Sequence, residues 1–489
     1  MGLGPLSTLA LPNGFHHCPF NTTYHRYINS TLYSHDNSTI QNHANSTLQK
    51  DTNSTLHNLL DLHIPASIDG ISFRRLTPAC NASADTRAAH SQRLTALGTR
   101  HNDRSAAHLI SSLHARSTRR RRAVSATGAG VPTQNITVAD AIGTQYSVQV
   151  EWDGEPVALL FDTGSSDTWA VRSDFTCRTA MDVAVPQDEC LWGPGLVKNF
   201  GHGEESGVHF QTRYGSGERV SGPMGWSDLG VAGMTVRRQQ VGLANETFWY
   251  GNNVTNGILG MAYAALTSGY EGYDSASSPG QRQTYRPFFS SMVSQGLVSP
   301  VFAVALSKEE EGGVIGWGGL PTLDWTAVSI ASTDILIASV SNFPDASSEY
   351  TFYTIVVDGI QYGQVEDTHK YLYIIDTGTT LMYLPPVLAE AIAKSFEPTA
   401  VYLYQYGAYF APCNASPPRM AVIINNIKLW INPADLLYQD FRDAETGYCA
   451  IGVTTGDNGP YILGDVFLQS VMAVFDVGAA QMRFYGRYE

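Results

Sequence analysis

Histidine is nearly missing from most of this chain. Of its 14 His, 11 precede residue 123, and only His202, His209 and His369 lie beyond it. A Ser-His-Asp triad needs a His held by a nearby carboxylate, so that chemistry is nearly excluded. Beyond residue 122 no H-E-x-x-H and no close Cys/His cluster occurs, which argues against a His-based zinc site there. Cysteine is also scarce, six in 489 residues. No apolar run approaches the roughly 20 residues that a membrane span requires. The closing residues from Met482 to Glu489 lack the hydrophobic tail of a lipid-anchor signal. A soluble protein without a membrane anchor is expected.

Positive charge is depleted where the rest of the molecule lies. Residues 1–122 carry 13 Lys+Arg against 6 Asp+Glu, a net of +7, whereas residues 123–489 carry 17 against 38, a net of −21. So acidic a body makes nucleic acid a poor partner. With 43% hydrophobic content, a chain of this length can bury sizeable cores, and two or three domains are expected.

What is present is a repeated motif. Ala158-Leu159-Leu160-Phe161 runs into Asp162-Thr163-Gly164-Ser165-Ser166, and Tyr373-Ile374-Ile375 runs into Asp376-Thr377-Gly378-Thr379-Thr380. Each copy puts a carboxylate at the end of a buried strand, a Gly for a tight turn, and hydroxyls to hold the carboxylate still. Gly257-Ile258-Leu259-Gly260 follows the first copy and Tyr461-Ile462-Leu463-Gly464 the second, with Asp-to-Ile offsets of 96 and 86 residues. Two halves with the same order of elements read as a duplicated lobe. A pseudo-two-fold axis between them would bring Asp162 and Asp376 face to face.

These residues resemble those of the pepsin-like aspartic endopeptidases over about Gln145 to Arg487. The resemblance includes both Asp-Thr-Gly turns, Trp169, and the hairpin Tyr214-Gly215-Ser216-Gly217. It extends to the run from Ile462 to Leu468 and to Val474-Phe475-Asp476. It implies an all-β, bilobal fold with the cleft between two related β lobes. It also implies an endopeptidase made as a zymogen and acting on polypeptides at acid pH. Paired carboxylates sharing a proton would activate a water between Asp162 and Asp376, without metal or other cofactor. In that scheme Ser165 and Thr379 donate to the carboxylates, while Thr163 and Thr377 tie together the turns made by Gly164 and Gly378. The segment 210–222 would be a flap whose Gly215, Ser216 and Gly217 form a pliable tip. Its Tyr214 would close over substrate and bond toward Trp169.

The resemblance is imperfect. Glu218-Arg219 stands at the flap tip where small residues are expected, Thr380 replaces the more usual Ser, and Trp152-Asp153-Gly154-Glu155-Pro156 departs from the common pattern. Four of the Cys allow three connectivities. Cys177–Cys190 and Cys413–Cys449 are the economical local pairs, and each matches a loop-closing bridge of the resembled family. Disulfides and sequons at Asn135, Asn245, Asn253 and Asn414 together point to a secreted or vacuolar glycoprotein, although no signal peptide is evident at the given start.

The organisation along the chain follows. Asn21, Asn29, Asn37, Asn45 and Asn53 begin sequons in an eight-residue repeat. Residues 1–60 are therefore expected to be disordered, either a glycosylated leader or a translated tandem repeat upstream of the true start. Residues 61–122 read as a basic prosegment ending in Arg119-Arg120-Arg121-Arg122, a site for a processing protease that would cut after Arg122. Catalytic lobes are expected over 131–318 and 319–489, mostly of short strands, with helices at 287–295 and 386–396 and an insertion loop at 269–286. The enzyme is expected to be a monomer. Two other classes compete: a pepsin-fold pseudo-protease serving as a binding or inhibitor module, and a glycosidase, which also needs two carboxylates. The intact Asp residues, turn glycines and flap Tyr disfavour the first, and the symmetry of the turns disfavours the second.

Overall fold

The computed structural model describes residues 131–489 apart from 140–143, 273–279, 309–311, 324 and 339–348. The sequon repeat, the basic prosegment and Arg122 lie outside the described residues. Within them the chain is built mainly of strands, arranged in one sheet of 16 strands and three of five, four and four. The architecture is the bilobal, all-β, pepsin-like one. Among the described residues no helix is long and apolar enough to cross a membrane.

The two copies of the motif fold alike because both end in strands buried on two faces. Glu155–Asp162 runs parallel to Gly257–Gly260, pairing Leu160 with Ile258 and Asp162 with Gly260. Tyr371–Ile375 runs parallel to Tyr461–Leu463, pairing Ile374 with Ile462 and Ile375 with Leu463. Near-continuous apolar runs suit such parallel, doubly covered positions. After each turn the chain returns antiparallel on the other side of the same strand. Thr168–Arg178 does so against Gly257–Gly260, and Met382–Leu384 against Tyr461–Leu463. Each Asp-Thr-Gly turn therefore sits on a three-strand base, and the repeated Ile is the residue on the middle strand.

The halves share a floor. Phe302–Leu306 pairs antiparallel with Val471–Asp476, so a strand before residue 318 hydrogen-bonds to one near the C-terminus. Phe302 and Phe475, opposite one another in that register, stack with ring centroids 4.5 Å apart. Trp317, Phe289 and Tyr353 pack around them in one core that reaches into both lobes. Helices span Phe288–Ser294, entered from Pro287, and Pro386–Lys394, with Pro at its first position. Proline there forfeits only an amide that has no partner within the helix.

The stretch 269–286 is less of a loop than its polar composition suggests. Gly269–Glu271 and Arg282–Gln283 pair with each other, and the first also pairs with Glu204–Arg213. Backbone pairing to an open strand edge overrides composition here, and it buries His209 against Tyr270.

Candidate active site

The two turns meet. The Thr163 amide donates to the Thr377 hydroxyl at 3.1 Å and the Thr377 amide to the Thr163 hydroxyl at 2.9 Å. Each hydroxyl then donates across the interface, Thr163 to the Ile375 carbonyl at 3.0 Å and Thr377 to the Phe161 carbonyl at 2.8 Å. Four bonds related by the pseudo-two-fold thus lock the ends of the two buried strands together.

The carboxylates are held in matching cradles. Asp162 accepts from the Gly164 amide at 2.7 Å and from the Ser165 hydroxyl at 2.5 Å. Asp376 accepts from the Gly378 amide at 2.8 Å and from the Thr379 hydroxyl at 2.7 Å. Each turn closes against the opposite carboxyl group. A Cβ on Gly164 would lie 2.4 Å from the Asp376 carboxyl carbon, and one on Gly378 would lie 2.4 Å from Oδ1 of Asp162. Only glycine fits so close an approach. Both Asp residues are buried. Burial first, and then the Asp376 charge, push the Asp162 carboxyl up to about 8. Its bonds from Ser165 and Gly164 oppose that shift without overcoming it. Such a pair retains a proton under conditions that ionise an ordinary carboxyl.

Above the turns projects the hairpin made by Glu204–Arg213 and Arg219–Val231. At its tip the Gly217 amide donates to the Tyr214 carbonyl and the Tyr214 amide to the Glu218 carbonyl, both at 2.9 Å. Gly217 takes φ +90°, a conformation that side chains resist. The indole N–H of Trp169 donates to the Tyr214 hydroxyl at 2.8 Å. Burial raises the Tyr214 phenol well above its ordinary value, and the charges of Asp167 and Asp162 add to the effect.

Several contributors carried no sequence signal as motifs. Trp249 and Trp192 stack on each other at 5.2 Å, and both pack edge-on against Trp169. Tyr214 meets Trp249 edge-on at 5.4 Å. Trp192 follows Cys190, whose sulfur is 2.09 Å from that of Cys177, so this bridge delivers an aromatic ring to the flap's support. The second pair, Cys413 and Cys449, has sulfurs 1.92 Å apart. Asp167, five residues beyond Asp162, is buried and accepts from the Ser268 amide at 2.8 Å and the Tyr285 hydroxyl at 2.6 Å. Tyr285 is therefore pinned beside the first turn. Of the four sequons in the described residues, Asn135, Asn253 and Asn414 are exposed, whereas Asn245 is half-buried with its side-chain oxygen out of solvent.

Fold and paired turns together define a pepsin-like protein. The family model described as eukaryotic aspartyl protease matches residues 145–485. A probable aspartic-type endopeptidase of Aspergillus fumigatus is 34% identical over 361 residues, covering 71% of this chain and 80% of that protein. Rhizopuspepsin-3 of Rhizopus niveus is 28% identical over 364 residues, covering 71% of this chain and 82% of its own. Among solved structures, the aspartic proteinase from Irpex lacteus superposes with a TM-score of 0.55 at 20% identity, covering 73% of this chain and 98% of that one. The chain belongs to the eukaryotic aspartyl protease family and is an aspartic-type peptidase.

Proposed function

We propose that this enzyme is an acid endopeptidase in which Asp162 and Asp376 activate water for attack on a peptide carbonyl. One carboxyl, ionised, takes a proton from the water while its oxygen bonds to the carbonyl carbon. The other, protonated, donates a hydrogen bond to the carbonyl oxygen, which gathers charge as the tetrahedral intermediate forms. Proton transfer to the amide nitrogen then lets the C–N bond break, and the pair recovers its single shared proton. Ser165 and Thr379 orient the carboxylates, the Thr163–Thr377 lock holds them in place, and Tyr214 covers the bound peptide.

The observation that carries this reading is the pair of matched cradles, each closed by a glycine against the other's carboxyl group. A pseudo-protease has no use for both. We further infer manufacture as a zymogen on the secretory route, for an extracellular or vacuolar destination. The four sequons and the two cysteine bridges support that route. The test is cleavage of acid-denatured globin. Asp162→Asn and Asp376→Asn should each abolish peptide release while remaining folded by circular dichroism, and a statine-type mimic of the tetrahedral intermediate should inhibit the parent tightly. Substantial turnover by either variant overturns the mechanism.

A further inference from the structure

The flap tip carries an acidic residue whose side chain turns back into the protein. One carboxylate oxygen of Glu218 accepts from the Tyr250 amide at 2.8 Å, and the other accepts from the Ser216 hydroxyl at 2.7 Å. Tyr250 lies outside the hairpin, just past the strand Met234–Phe248. Backbone pairing between that strand and the hairpin ends at Arg219 opposite Phe248, so beyond that point this side chain bridges two diverging segments. Trp249, one residue before the anchoring amide, is the ring against which Tyr214 packs.

We propose that Glu218 is a positioning residue: its carboxyl group clips the flap tip to the segment ending at Tyr250 and so seats Tyr214 on Trp169 and Trp249. The inference rests on the peptidase reading, because it assigns the closed flap its latch. Protonation favours the clipped state because it removes the charge that burial penalises, a gain that outweighs the stronger bonds Ser216 and Tyr250 make to the carboxylate. A neutral carboxyl keeps a carbonyl oxygen to accept from Tyr250 and gains an O–H to donate to Ser216, with no charge to bury. Burial lifts the Glu218 carboxyl to about 7, against bonds from Ser216 and Tyr250 that lower it. A group raised in the clipped state favours that state fully at pH below the ordinary carboxyl value, about 4.5. The preference then falls as pH climbs to about 7.

Two of the neighbouring charged groups, Arg219 and Arg178, have acidic partners of their own. Arg219 donates to Asp182 at 3.0 Å and lies over the Phe248 ring, Arg178 pairs with Glu246, and Arg213, exposed, is opposite Arg219 in the hairpin register. Tyr214 is the titratable group facing Glu218 from the hairpin itself, and its raised phenol stays neutral throughout this range. Closure of the flap is thus coupled to acidity through a group separate from the catalytic pair.

The test uses hydrogen exchange on the mature enzyme carrying Asp162→Asn, which prevents self-digestion and makes the readout independent of turnover. Protection of the Tyr250 amide and of the hairpin tip, corrected for intrinsic exchange, should drop as pH rises from 4.5 through 7. Glu218→Gln keeps one acceptor and one donor without charge and should hold protection across that range. Glu218→Ala should lose it at every pH, and in the active enzyme should lower kcat/KM about tenfold at acid pH, with Gln close to the parent. If parent, Gln and Ala forms show the same protection at both ends of the range, Glu218 is not the latch. That result would leave the peptidase reading untouched, since loss of turnover in Asp162→Asn tests it separately.

Discussion

Thr163 and Thr377 exchange hydrogen bonds, the amide of each donating to the hydroxyl of the other. Because each hydroxyl also donates to a carbonyl of the opposite half, valine at either position strands one buried amide and one buried carbonyl. Thr163→Val should cost about 2–4 kcal/mol of stability by the usual penalty for unsatisfied buried groups. Thr377→Val should cost a similar amount. The two hydroxyls share no bond, yet the double variant should lose less than the sum, since the first change already loosens the turns that the second pair of bonds would hold. Denaturant titrations of the four proteins at one pH would measure the coupling, and strict additivity would mean that the lock is not a unit.

Glycine is required in each turn by the opposite carboxyl group. Gly164→Ala places a methyl 2.4 Å from the Asp376 carboxyl carbon, and Gly378→Ala places one 2.4 Å from Asp162. Either change must push the carboxylates apart. Turnover should fall at least 100-fold, a loss of roughly 2.7 kcal/mol in barrier terms, while the far-UV spectrum stays that of the parent. Retention of more than a tenth of the activity would show that the approach is looser than the geometry indicates.

Burial of Asp162 also has a sign in stability. Its carboxyl is raised to about 8 from an ordinary value near 3.8, so the folded state favours the protonated form. That preference costs nothing at pH below 3.8, and it weakens the fold progressively as pH climbs toward 8. Asp162→Asn removes the penalty. It should stabilise the protein at pH 7 by on the order of 2 kcal/mol relative to the parent, and the gain should vanish near pH 4. Thermal melts at the two pH values decide it, and a gain independent of pH would point to packing instead.

Much of this site was legible because its chemistry is carried by contiguous residues. Asp162 through Ser165 and Asp376 through Thr379 are short, repeated strings, and the repeated Ile of the middle strands identified the duplicated base. The flap's support was not legible, because it is assembled from single residues far apart in sequence. Trp192 and Trp249 contact Trp169 only after the chain from Thr168 to Phe248 has folded into neighbouring strands. The bond from Tyr285 to Asp167 spans 118 residues. Glu218 could be seen to depart from the expected small residue, but its partner is a backbone amide, which leaves no trace in a sequence. The strand Gly269–Glu271 was illegible for a related reason, since it forms by pairing to the edge of Glu204–Arg213.

The Cys177–Cys190 bridge should serve the flap as well as the fold. It closes a 13-residue separation and holds Trp192 against Trp169 and Trp249. Replacing both cysteines by serine should cost about 2–4 kcal/mol of stability. It should also raise KM, because the platform beneath Tyr214 loosens. Replacing Cys413 and Cys449 should cost comparable stability without that change in KM, since no contact links that pair to the flap's aromatic cluster. Equal KM effects from the two double variants would remove the special role of the first.

Glycan occupancy should follow exposure. Asn135, Asn253 and Asn414 present their side chains to solvent, whereas the Asn245 side-chain oxygen is buried within a paired strand. Glycopeptide mapping of enzyme expressed through a eukaryotic secretory pathway should find the first three modified and Asn245 the least. Full occupancy at Asn245 would be incompatible with the packing of that strand.

Activation supplies the remaining test, and it turns on charge. A segment of net +7 precedes a body of net −21, and it ends in Arg119-Arg120-Arg121-Arg122. We propose that charge attraction between this basic segment and the acidic body keeps the enzyme latent at neutral pH. Acid protonates Asp and Glu, with reference values of about 3.9 and 4.3, and so removes the attracting charge. The leader's histidines become cationic below about pH 6.5 and add repulsion within the segment once the carboxylates are neutral. The attraction is then lost, and a cut after Arg122 makes the change irreversible. Replacing the four arginines with alanine should therefore yield a longer form that is largely latent at neutral pH. Sequencing the N-terminus of the purified protein, with and without acid exposure, reads the outcome directly. If the variant reaches the same N-terminus as the parent and is fully active without acid, neither the cut site nor the electrostatic latch is correct.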